Sequence, residues 1–182
     1  MFTDCMVDIE TGDVDPSRGY VFQIAAVKFN AQTREVSPSF FDMCLHPDTQ
    51  PNRRWEEKTR NWWSKMPETF HGIQLRMEDT KDVLVKFQQW AQGVETFWGK
   101  PTHFDFSFLQ SLYKDVGLQI PFHYRKANDM NSFARGRYFP DQPPQWERII
   151  EFTGAAHNAM DDCLHQLKVL YKILDGEKHD GV

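Results

Sequence analysis

Apolar residues in the first quarter of the chain cluster at strand spacing, and from residue 59 onward they recur mostly at helix spacing. Residues 2–9 (FTDCMVDI) read as a buried strand that ends at acidic side chains. Residues 20–29 (YVFQIAAVKF) and 36–45 (VSPSFFDMCL) predict two further strands joined by the polar turn Asn30–Arg34, an antiparallel three-strand start. The loop Gly12–Gly19 precedes the second strand and faces the end of the first. The stretch 46–57 is polar, contains two prolines and predicts a loop. Thr59, Trp62, Trp63, Met66 and Phe70 then fall at helix spacing, and Pro67 splits that helix because proline lacks an N–H and clashes with the preceding turn. Residues 79–92 predict an amphipathic helix with Val83, Leu84, Phe87, Trp90 and Ala91 inward and Asp79 as N-cap; Gly93 ends it.

The remaining pattern predicts a short strand at 94–98, a helix at 105–116 with Phe108, Leu109, Leu112, Tyr113 and Val116 inward, and a fifth strand near 122–126. Helices follow at about 129–135, 145–152 and 159–174, the first two separated by the loop 136–144, with Asp129 as a further N-cap. This order predicts an α/β fold: a mixed five-stranded sheet, three antiparallel strands then two parallel, flanked by helices. With no repeat or internal boundary, residues 1–175 are expected to form one domain and 176–182 a mobile tail.

Composition narrows the class. The 182 residues are 40% hydrophobic and 26% charged, enough for one substantial core in a soluble protein. No run approaches a membrane span, and the N-terminus lacks a basic region followed by an apolar one. Cys5, Cys44 and Cys163 are far apart and odd in number, so reduced, buried thiols and a cytoplasmic location are expected. A net charge of −5 excludes a broad basic surface for coating nucleic acid. It leaves room for an enzyme whose positive charge comes from metal ions, and predicts weak nucleic-acid binding without them.

The candidate chemistry lies in four carboxylates and a histidine. Asp8 and Glu10 are two apart on a strand, so both project from one face, roughly 6–7 Å apart at their α-carbons. Taken alone, such a pair is more often merely solvated. Asp105 stands where the fourth strand has crossed into a helix, and the macrodipole favours an anion there. Five helical steps rotate about 140°, so His157 and Asp162 converge only if His157 lies in the loop before the helix. Asn158 is a suitable N-cap with Asp161 three residues on as its capping partner, which leaves Asp162 one turn inside. Four clustered acids repel one another, and oxygen-only donors suit Mg²⁺ or Mn²⁺ rather than zinc.

Asp8-x-Glu10-Thr11, Phe104-Asp105-x-x-Phe108-Leu109 and His157-x-Ala159-x-Asp161-Asp162 resemble the DEDDh exonucleases of the DnaQ-like, ribonuclease-H-like superfamily, over nearly the whole chain. Thr59-Arg-Asn-Trp62-Trp63, Phe97-Trp98-Gly99, Gly154 and Gln166 are similar to the phage exonuclease A (DexA) group and its bacterial relatives. Lys100 departs from that group, which usually has Asn at this position, and is a candidate for contacting substrate phosphate. The resemblance implies a 3′→5′ exonuclease releasing nucleoside 5′-monophosphates, in the cytoplasm or, if phage-encoded, in that of the host. Asp8, Glu10, Asp105 and Asp162 would hold two divalent ions, Mg²⁺ or Mn²⁺, and His157 would take a proton from the attacking water. Thr11 and Gly12 would offer backbone groups to the terminal 3′-OH.

Weaker signals complete the expectation. Trp55, Trp62 and Trp63 lie among Arg53, Arg54, Lys58, Arg60 and Lys65, a mixture suited to single strands. Adjacent tryptophans point about 100° apart, so one faces the core and the other the strand. Trp63 is taken as the strand-facing one, with Phe108 as a second substrate contact. His46, His71, His103, His123 and His165 lack ligand spacing and are expected at surface or structural positions. The expected substrate is single-stranded nucleic acid, DNA favoured over RNA, without a membrane partner. The competing readings are the same chemistry on RNA and an inactive nucleic-acid-binding module.

Overall fold

The computed structural model describes residues 1–176. Six strands form one sheet: β1 (Asp4–Thr11), β2 (Val21–Phe29), β3 (Val36–Leu45), β4 (Met77–Glu78), β5 (Thr96–Gly99) and β6 (Ala127–Asp129), in spatial order β4-β3-β2-β1-β5-β6. β1 pairs antiparallel with β2, and β2 with β3; β1–β5 and β5–β6 are parallel. The expected mixed α/β sheet is therefore present, with one strand added. β4 is two residues long and pairs parallel with Cys44 and Leu45, too short to leave a periodic trace.

The helices are α1 (Glu57–Trp63), α2 (Pro67–Gln74), α3 (Thr80–Trp90), α4 (Thr102–Asp115), α5 (Met130–Tyr138), α6 (Trp146–Ile149) and α7 (Ala159–Asp175). Pro67 divides α1 from α2 as expected, and Asp79 caps α3 by accepting from the N–H groups of Lys81 and Asp82. Four elements differ in their bounds from the sequence pattern. The last strand lies at 127–129 rather than near 122–126, because Phe122 is buried in the core and His123 caps a 3₁₀ turn, accepting from Arg125 N at 3.2 Å. α4 starts at Thr102, whose N–H donates to the Asp129 carboxylate and whose hydroxyl donates to Asn128 O. α5 continues through Gly136 to Tyr138, and α6 is only four residues. The tail expected over 176–182 lies, from residue 177, outside the described residues; Gly176 closes α7 at φ +66, a conformation glycine adopts without strain.

The two-residue period of β1 divides the core. Cys5, Val7 and Ile9 pack with Val83, Leu84, Phe87, Phe108 and Leu109 on the side of α3 and α4. Met6 packs with Cys163, Leu167 and Leu170 on the side of α7. Asp8 and Glu10 continue the even series, so β1 presents both carboxylates toward α7. A third cluster (Phe22, Cys44, Trp63, Phe70, Ile73) seats α1 and α2 on the sheet. All three cysteines are free and buried. Among the described residues no helix is long and apolar enough to cross a membrane.

Candidate active site

Asp8, Glu10, Lys100, Asp105, His157 and Asp162 line one cleft of about 380 Å³ together with Ile9, Pro101 and Phe104. Glu10 and Asp105 are buried, and donor atoms of Glu10, His157 and Asp162 all lie within 4.8 Å of one another. Asp105 enters from the first turn of α4 and Asp162 from the first turn of α7. His157 sits in the preceding loop at φ +63, a left-handed conformation that turns its ring back over the helix mouth.

The α7 N-terminus is held by several ties. Asn158 caps it, accepting from Met160 N at 3.1 Å and Asp161 N at 3.4 Å. Asp161 is not the capping partner expected from the sequence: its carboxylate reaches back to accept from Ala155 N at 2.8 Å. That carboxylate fills the space beside Gly154, where φ is +113 and an added Cβ would lie 2.3 Å from it. Gln23 supplies the tie that the sequence reading missed. Fully buried in β2 and opposite Glu10, it accepts from Ala159 N at 3.1 Å and donates to Asp42 at 2.7 Å. Its signal was present as a lone amide inside the apolar run VFQIAAV, since a buried polar group must find partners.

Electrostatics is the defining property of this cleft. Burial first, and then the Asp162 charge, push Asp8 up to about 8; the hydrogen bond from Gln166 (2.8 Å) and the Lys100 charge oppose this. Burial and the neighbouring carboxylates raise Glu10 well above the usual range. Burial and Asp8 do the same to Asp105, against hydrogen bonds from the backbone of Asp105 and Ile9. Asp162 is raised by burial and lowered by His157. Lys100 is the cation in the cleft, and its ammonium is 2.8 Å from Glu147. The acid cluster is thus undercompensated, and its hard oxygen donors suit divalent ions such as Mg²⁺ or Mn²⁺.

The expected substrate contacts are partly rearranged. Trp63 is 1% exposed and donates from Nε1 to Thr11 O, so it is core and cannot stack on a base. Trp62 takes the open position at 38% exposure, its ring 4.5 Å from that of His157 and nearly perpendicular to it. Phe108 is likewise fully buried; Phe104, one turn earlier on α4, faces the cleft. Gly12 is buried with both backbone groups engaged, its N–H to Tyr20 O and its carbonyl from Glu56 N, so its N–H is not free for a nucleotide. The hydroxyl of Thr11 donates to Asp13 O. Thr11, Val14, Arg18, Lys58, Trp62 and Phe104 help line a second, more apolar cleft of about 580 Å³ that meets the first at Ile9, Glu10 and Phe104.

Comparison with known proteins accords with this geometry. A family model described as 3′-5′ exoribonuclease Rv2179c-like domain matches residues 3–174. Among solved structures the chain is similar to cell-death related nuclease 4 (CRN-4), with 20% identity and TM-score 0.70 over 96% of this chain and 64% of that one. It is similar to E. coli exonuclease I in complex with a dT13 oligonucleotide, with 14% identity and TM-score 0.73 over 95% and 41% of the two chains. The nuclease domain of 3′hExo, a DEDDh family member bound to rAMP, is 17% identical with TM-score 0.69 over 96% and 92%. At these identities the likeness speaks for the fold, and the chain spans less than two thirds of CRN-4 and of exonuclease I. No curated protein sequence matches the chain. With one family model covering nearly its whole length and a fold shared with these nucleases, the chain belongs to the 3′-5′ exoribonuclease Rv2179c-like domain family.

Proposed function

We propose that the enzyme shortens single-stranded RNA from its 3′ end by two-metal hydrolysis, releasing nucleoside 5′-monophosphates. The observation that carries the reading is the convergence of four carboxylates and His157 in one cleft that opens into an aromatic-lined one. RNA is favoured by the description of the matching family. DNA, the expectation from sequence, is the second reading and draws on the likeness to exonuclease I in complex with dT13.

Asp8, Glu10, Asp105 and Asp162 would hold two divalent ions, Mg²⁺ or Mn²⁺. When bound, such ions neutralise phosphate charge and acidify water. His157 takes the proton of the attacking water on an imidazole nitrogen, and Trp62 beside it restrains the ring. Gln166 holds Asp8 in orientation through its amide. Lys100 turns from Glu147 to a non-bridging phosphate oxygen, which suits an ammonium better than a half-exposed carboxylate does. Trp62 and Phe104 flank the terminal base.

5′-labelled RNA and DNA oligonucleotides, incubated with Mg²⁺ or Mn²⁺ and with a chelator, test the proposal. Metal-dependent ladders shortening from the 3′ end, faster on RNA, are expected. Absence of shortening on both substrates, or full turnover in chelator, would overturn it; a faster DNA ladder selects the second reading. His157→Ala should lower turnover by roughly 10²–10⁴ with Mn²⁺ binding retained in calorimetry. Loss of Mn²⁺ binding would make His157 a ligand, as its closeness to Glu10 and Asp162 permits.

A further inference from the structure

The two clefts above account for a terminal nucleoside and its phosphate; the rest of a strand must leave across the protein surface. The base cleft ends against the Gly12–Gly19 loop, whose Asp13, Val14 and Arg18 line it. Pro101 is shared between the catalytic cleft and a third depression of about 540 Å³. That depression runs between α4 and α5, with His103, Ser107, Tyr124, Ser132 and Arg135 on its walls. It adjoins the catalytic cleft at Pro101 and shares no lining residue with the base cleft.

Its chemistry suits single-stranded nucleic acid. Tyr124 is 60% exposed, an unusual position for an aromatic ring unless something covers it. It is held from two directions. His123 stacks on it at 4.6 Å, and the Arg125 guanidinium lies 5.6 Å from its ring while Nε donates to the Tyr124 hydroxyl. Residues 123–137 carry four cations, Arg125, Lys126, Arg135 and Arg137, against the single acid Asp129, in a chain of net charge −5. Asp129 is already engaged, accepting from Thr102 N, Ser132 N and the Ser132 hydroxyl. Among the described residues no carboxylate forms an ion pair with Arg125 or Arg135. A restrained aromatic face beside uncompensated cations is the arrangement that stacks bases and follows phosphates.

We infer that this depression is the track for the upstream nucleotides of a single-stranded substrate, with Tyr124, braced by Arg125, stacking a base and Arg135 following the backbone. The inference rests on the exonuclease reading and extends it from the scissile phosphate to the body of the strand. The track makes affinity depend on length: a dinucleotide ends at the catalytic cleft, whereas a ten-residue strand reaches Tyr124.

Tyr124→Ala and Arg135→Ala are compared with the unaltered enzyme on a dinucleotide and on a ten-residue single strand, with melting temperature as a check on folding. Each substitution should raise KM for the ten-residue strand by about 10-fold or more while leaving the dinucleotide within about twofold. Arg135→Ala should also flatten the dependence of log affinity on log salt by about 0.7, the loss of one single-strand phosphate contact. An unchanged KM for the long strand overturns the inference, and so does an equal effect on both lengths. Anisotropy of the labelled ten-residue strand in Ca²⁺ reads the same contrast without turnover. An enzyme that binds long strands through Tyr124 yet hydrolyses neither substrate would count against the exonuclease reading alone.

Discussion

Gln23→Leu tests how the α7 N-terminus is held in register with β1. Leucine fills a similar volume but removes both hydrogen bonds of a fully buried amide. Asp42 loses one donor and keeps Arg76 at 2.6 Å, so little of the penalty falls there. Ala159 N is different: it is the first N–H of α7, in a residue with no solvent exposure, and is left without its acceptor. An orphaned buried donor costs about 1–3 kcal/mol. For a domain of this size each kcal/mol lowers Tm by about 2–4 °C, so a fall of about 2–12 °C is expected. His157 lies two residues before Ala159 and Asp162 three after, so relaxation of this end moves both. A displacement of about 1 Å in such a constellation costs on the order of 10²-fold in rate. Thermal melting and kcat/KM on one labelled oligonucleotide should therefore fall together. A Gln23→Leu enzyme that melts with the unaltered protein and cuts at its rate would refute the idea that this amide positions the helix.

Asp162→Asn should abolish hydrolysis, whereas Asp161→Asn keeps an oxygen for Ala155 N and should lose no more than about 1 kcal/mol, read by melting and rate assay; an inactive Asp161→Asn enzyme would reverse these roles. Trp62→Ala should raise KM, stacking on a base being worth about 1–3 kcal/mol, with little change in melting. Trp63→Ala should destabilise by about 3–5 kcal/mol in denaturant titration; the opposite pattern would restore Trp63 as the substrate contact. In metal-free protein, Asp8 at about 8 and the raised Glu10, Asp105 and Asp162 keep protons that the unfolded chain releases near pH 4. Stability in chelator should thus fall as pH rises from about 5 to 8, and Mn²⁺ should restore it at pH 8; a melting temperature that climbs over this window in chelator would sink the argument.

Much was legible in the residues themselves. Periodicity placed β1 to β3, the split at Pro67, the helix behind Asp79 and the long α7, because each buries a face whose spacing is written locally. The order Asp8, Glu10, Asp105, His157, Asp162 pointed to a DEDDh-type cluster, since acids so arranged resemble that family across the chain. What neighbours decide was not legible. β4 exists only because β3 offers it an edge, and residues 122–126 are pulled out of the sheet by burial of Phe122 and the His123 cap. The choice between Trp62 and Trp63, and between Phe104 and Phe108, depends on which side of each helix meets the sheet. Adjacent or near-adjacent apolar residues carry no local mark of that side. Gln23 shows the same limit from the polar side: its type is visible in the sequence, but its partners lie 19 and 136 residues away and are chosen only when α7 packs across β2. Local pattern and residue chemistry thus determined most of the elements and the acid cluster, while tertiary packing decided which side chains line the clefts, because exposure belongs to surfaces in contact and not to positions along a chain.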